Sequence, residues 1–102
     1  MIRREGAVVG RFEGALRAGR FAVLAEVLCP ASSSLTAWLD DVRGLGDTFD
    51  AVQLTDMPMA HVHIDNLAAG AALAAAGHDV IANISCRDRN IIAQQARFLG
   101  AA

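Results

Sequence analysis

A chain of 102 residues has room for one domain, and 54% hydrophobic content with 20% charge and a net charge of -2 describes a folded globule, not a disordered segment. Nine Lys and Arg against 11 Asp and Glu, with 5% aromatic residues, supply neither the basic excess nor the stacking surface of a nucleic-acid binder. The longest apolar run, Leu67 to Gly77, is mostly alanine and falls far short of the roughly 18 residues a membrane span needs.

The stretch Met1 to Gly10 carries Arg3 and Arg4 but no apolar core of about 7 to 15 residues, so no secretory signal is expected and the protein reads as cytoplasmic. Phe12, Ala15 and Leu16 are spaced for a short leader helix over about 11–19, which Gly19 can end. Phe21 to Pro30 follows as an aliphatic run with one carboxylate, Glu26, inside it and a proline closing it. Such a run predicts a strand buried on both faces. An acid there needs a reason, because a buried charge is costly unless paired and otherwise its pKa rises. Two readings stay open: Glu26 is a general acid, or it pairs with one of the nearby arginines.

Ala31 to Ser34 is a polar loop whose serines can cap the next helix. In that helix Leu35, Trp38, Leu39, Val42 and Leu45 form one stripe, with Asp40, Asp41 and Arg43 opposite. Asp50 to Asp56 reads as a second strand stopped by Met57-Pro58. A third helix is expected from about Ile64 to Ala76, with Ile64, Leu67, Ala68, Ala71 and Ala75 inward and Gly77 at its end. Asp79 to Cys86 gives a third strand. A last helix from near Asp88 or Arg89 would turn Ile91, Ile92, Gln95, Ala96 and Leu99 to the core.

Strand and helix alternating three times over about 21–100 predict an α/β fold of βαβ units on a parallel sheet, filling one domain over 1–102. Either an open doubly wound sheet or the start of a (β/α)₈ barrel satisfies that grammar, and both put function at the C-terminal ends of the strands. Glu26, Thr55 and Asn83 each stand in or at the end of one of the three strands, so parallel pairing would gather an acid, a hydroxyl and an amide in one pocket. Alternatively Thr55 and Asn83 cap the helices that follow.

His61-Val62-His63 could offer two imidazoles to a metal in a barrel hydrolase, yet it lies about five residues past the strand with only His78 to add, which favours loop histidines. Arg87-Asp88-Arg89-Asn90 fits either an anion site at a helix N-terminus or a capping loop with internal charge pairs. Cys29 and Cys86 end two strands that would lie about 10 Å apart, too far for a disulfide, and are expected as two free, mostly buried thiols. No G-x-G-x-x-G or Walker-type loop is present.

Taken in order, these strand ends resemble the flavin-dependent methylenetetrahydrofolate reductases. Ala25-Glu26-Val27-Leu28-Cys29-Pro30 resembles that family's first-strand motif, a phenylalanine, the acid, two apolar residues and two prolines, with alanine before the acid and cysteine for the first proline. Leu54-Thr55-Asp56-Met57-Pro58-Met59-Ala60 is similar to the second-strand motif, a threonine before a turn. Ile84-Ser85-Cys86-Arg87-Asp88-Arg89-Asn90 resembles the third, usually a histidine and Leu-Thr-Cys, often followed by Arg-Asp-Arg-Asn. The resemblance implies the first three βα units of a (β/α)₈ TIM barrel that binds FAD, a folate substrate and NAD(P)H. It implies Glu26 as the acid that protonates the folate's bridging nitrogen, and Thr55 and Asn83 as cofactor contacts, with Asn83 where the family usually has histidine. No metal is implied. Three units are an incomplete barrel, so the chain reads as a fragment, with association into a homo-oligomer open to it through uncovered edges.

Overall fold

The structure, a computed structural model, describes residues 9–102; of the stretch read for a secretory signal, Met1 to Val8 lie outside it. Helix α1 (Arg11–Arg17) leads to strand β1 (Leu24–Val27), helix α2 (Thr36–Gly44), strand β2 (Ala51–Leu54), a tight turn at Pro58–Ala60, helix α3 (Asn66–Ala75), strand β3 (Val80–Ala82) and helix α4 (Ile91–Ala101). The strands form a parallel sheet in the order β1-β2-β3. The chain is thus α/β, a three-stranded parallel sheet flanked by helices. The two crossover helices, α2 and α3, pack on the same face, as expected where every connection steps in one direction across a parallel sheet.

That face holds the core. Val52 and Leu54 of β2 are fully buried against Trp38 and Val42 of α2 and Ala69 and Leu73 of α3, with Cys29 and Phe49 completing the cluster and Ala25, Val27 and Val80 at its margin. Each large aliphatic side chain buried this way contributes about 1.5–3 kcal/mol. Helix α3 lies close to the strands because Gly70 has no side chain: a Cβ there would meet Val80 Cγ1 at 3.2 Å and Leu54 Cδ1 at 3.5 Å. Its C-terminal turn is completed by Gly77 at φ +95°, a conformation that suits glycine.

Four expectations are corrected. Strand β1 is not buried on both faces; it is an edge strand with helices on one side only, which leaves Leu24 38% exposed and Glu26 exposed. No serine caps α2, whose N-cap is Leu35 without a side-chain bond; docking of Trp38, with its Nε1 donating to the Leu28 carbonyl at 2.8 Å, holds the helix start. Helix α3 buries Asn66, Ala69, Gly70 and Leu73 while Ala68, Ala71 and Ala75 face out. In a helix that is apolar nearly all round, hydrophobic spacing does not select a face; Gly70 and Leu73 share the inward one, where Gly70 admits the close approach to Val80 and Leu54 and Leu73 fills the core. Finally, α4 turns Gln94 and Arg97 inward and leaves Ile91, Ile92 and Leu99 69–77% exposed.

The leader helix closes the N-terminal end of the sheet. Phe12 N–H donates to Asp79 Oδ2 at 2.9 Å, and Gly10 passes so near that carboxylate that a Cβ would collide with it. Asp50 gathers Arg20 at 2.7 Å and the Val23 N–H at 2.9 Å, and these hydrogen bonds hold its carboxyl below the usual range. The N-terminal end is therefore committed to structure.

Candidate functional site

The face without helices is set by strand register. Glu26 pairs with Gln53, and Gln53 with Ile81, so these three share one face across the sheet. Alternation along the strands carries the same face to Thr55 and Asn83 one step further toward the C-terminal ends. The ladder persists there, with Thr55 N–H donating to the Val27 carbonyl at 3.4 Å and Asn83 N–H to the Leu54 carbonyl at 3.0 Å. The three candidate residues thus stand on adjacent strands of one open face.

Their environments differ from expectation. Glu26 is exposed, and among the described residues it has neither an ion pair nor a hydrogen-bond partner, since Arg17 is taken by Glu13 and Arg20 by Asp50. Thr55 and Asn83 do not cap helices. That work falls to Asp65, which accepts from Leu67 N–H at 2.9 Å, and to Asn90, which accepts from Ala93 N–H at 2.9 Å. The Thr55 hydroxyl is buried without a partner among the described residues, and Asn83 Oδ1 accepts from Gln53 Nε2 at 3.2 Å.

Two polar clamps, unseen from sequence, hold the strand ends in place. Asn66, 1% exposed, donates from Nδ2 to the carbonyls of Thr55 at 3.2 Å and Asn83 at 2.7 Å, tying the ends of β2 and β3 together. Its Oδ1 in turn accepts from Arg97, which also pairs with Asp65. The second clamp is Asp56, whose oxygens accept from Arg89 at 2.6 and 2.8 Å and from the Ser85 N–H at 2.8 Å. Burial pushes the Asp56 carboxyl up, but the Arg89 and Ser85 hydrogen bonds outweigh it and hold the group below its ordinary value. Polar residues at a helix start and a strand end were the sequence signal for these clamps; their partners, 17 and 33 residues away, were not.

The loop Arg87 to Asn90 is the charge-paired capping loop, not an anion cradle. Arg89 is spent on Asp56, and Arg87 on Asp88 and the Met57 carbonyl. Past β2 the backbone takes left-handed conformations at Met57, Met59 and Ala60, where non-glycine residues are strained, and sends His61 into an exposed loop. His63 Nδ1 lies 3.0 Å from the His61 carbonyl, and no group of three metal-ligating side chains occurs among the described residues. Both cysteines are free. Cys29 is buried, its thiol pushed up to about 11 by burial and then by the Asp65 and Asp56 carboxylates, whereas Cys86 is exposed, contrary to expectation.

Comparison with known protein families, with curated proteins and with solved structures finds no match to this chain. Among the described residues no helix is long and apolar enough to cross a membrane. What the geometry offers chemically is a carboxylate, two linked amides and a hydroxyl on one open sheet face, with no free cation built beside them among the described residues. That combination suits an uncharged polar ring better than a phosphate.

Proposed function

We propose that the chain supplies the first three βα units of an FAD-dependent methylenetetrahydrofolate reductase barrel, the enzyme class that reduces 5,10-methylenetetrahydrofolate to 5-methyltetrahydrofolate with NAD(P)H. One observation carries this reading beside the motif resemblance: Glu26, Thr55 and Asn83 occupy adjacent strands on the face that helices leave bare, which is the interior face of a barrel. The consecutive order β1-β2-β3 fits a singly wound barrel and contains no reversal of the doubly wound kind. A cytoplasmic location belongs to the same reading.

In it, Glu26 gives a proton to the bridging nitrogen of the folate. A carboxyl becomes a proton donor near neutrality when apolar surroundings cover it, so that role belongs to Glu26 once further strands and the ligand close over β1. Thr55, with its unpartnered hydroxyl, and Asn83 would hold the ring system of the flavin. When bound, the reduced flavin supplies the hydride. The arginines at this end of the sheet are engaged, so the cofactor's pyrophosphate would be held by elements beyond these three units.

In a complete barrel carrying these units, Glu26→Gln is expected to abolish folate reduction and leave flavin reduction by NAD(P)H largely intact. Equal loss of both half-reactions would count against the acid role. A second reading, a flavin- or pterin-binding homologue without catalysis, draws on the uncovered state of Glu26 and on an amide in place of the family's histidine. A stable flavin spectrum with no folate reduction would select it.

A further inference from the structure

Gln53 sits at the centre of the open face, in register with Glu26 on one side and Ile81 on the other. Its Nε2 donates to Asn83 Oδ1 at 3.2 Å. A primary amide carries two donor hydrogens and an acceptor oxygen. A single bond between two amides leaves the Gln53 oxygen able to accept and the Asn83 amino group able to donate. Neither atom makes another hydrogen bond among the described residues, and neither is sealed from solvent. Turning both amides over exchanges the two roles and still leaves one donor and one acceptor.

We propose that the Gln53–Asn83 pair reads the edge of a cyclic imide or lactam, taking the ring N–H on one amide and the adjacent carbonyl on the other. The clamp from Asn66 to the Thr55 and Asn83 carbonyls fixes the backbone beneath the pair, so it is held in place before a ligand arrives. Thr55 Oγ1 lies one step beyond Gln53, past the end of β2, sealed from solvent and without a hydrogen-bond partner among the described residues, so the reading falls to the two amides. The flavin pyrimidine ring and the pteridine ring both carry such an edge. The inference rests on the reductase reading for where the ligand lies and goes beyond it in naming the residues and the edge they recognise.

The test is binding to the 102-residue chain, followed through the side-chain amide signals of Gln53 and Asn83 in ¹⁵N-labelled protein. Riboflavin is compared with 3-methylriboflavin, and lumazine with 1,3-dimethyllumazine, since methylation replaces the ring N–H that the pair would read. The expected result is a shift of both amide signals and about tenfold weaker binding of the methylated partner, with Gln53→Leu removing the discrimination. Riboflavin binding that ignores methylation overturns the amide pair and leaves the flavin reading standing. Discrimination with lumazine alone supports the pair and sinks the flavin reading. No binding of either parent compound overturns the pair.

Discussion

Asp56, at the C-terminal end of β2, and Arg89, beyond β3, form a two-point ion pair at 2.6 and 2.8 Å, with only 2% of the acid's side chain and 14% of the arginine's exposed. Asp56→Asn strands the guanidinium and is expected to cost about 3 kcal/mol in urea unfolding, a large share of a small domain's stability. The pH dependence follows from the lowered carboxyl. The stabilisation is complete above the unfolded acid's pKa of about 3.9 and is lost as pH falls through the folded value below it. Unfolding midpoints measured between pH 7 and pH 3 should fall at the acid end in the parent and more weakly in Asp56→Asn. Parallel profiles would deny the pair its role.

The two thiols differ enough to be told apart by labelling. Cys86 is exposed and Cys29 is buried with its thiol pushed up to about 11, so iodoacetamide at pH 8 should modify Cys86 alone in the native protein. Mass spectrometry should find the second adduct only in denaturant. Fast labelling of Cys29 in buffer would mean that β1 and α2 separate readily.

Trp38 both fills the core and satisfies the Leu28 carbonyl through its indole N–H. Trp38→Phe keeps an aromatic ring but loses that bond and some volume, for an expected loss of about 1–2 kcal/mol; Trp38→Ala should cost about 3–5 kcal/mol. Chemical denaturation followed by circular dichroism measures both. Equal effects of the two variants would show that the hydrogen bond, not packing, dominates.

Helix α4 presents Ile91, Ile92, Phe98 and Leu99 to solvent at 58–77% exposure. Contiguous apolar surface of this kind favours association. Sedimentation should find concentration-dependent self-association of the chain, reduced by Ile92→Glu with helical content unchanged. An equally associated variant would move the contact elsewhere, to the open strand edges.

The alternation of strands and helices was legible because each apolar run ends in its own punctuation: Pro30, Met57-Pro58 and Gly77. What failed were statements about which side of an element faces in. For β1 the apolar run was real, but double burial requires a second covering layer, and nothing within Phe21 to Pro30 reports whether one exists. Helix α3 gave no contrast to read. In α4 the expected apolar face is the exposed one, and Gln94 and Arg97 face inward because Arg97 bonds Asn66 and Asp65, residues more than thirty positions earlier. Gln53 escaped notice for a similar reason: a polar residue in a strand gains meaning only from its partner on the next one.

The contact between Phe12 and Asp79 spans 67 positions of the chain, and it has a consequence for the order of assembly. Its acceptor is in place only after the third strand has paired with the second, so the seven-residue α1 lacks this docking point through most of folding. The first helix in sequence is then expected to be among the last elements to settle. On partial unfolding it should be among the first to leave, and its departure would bare the N-terminal rim of the sheet while the clamps at the opposite rim still hold.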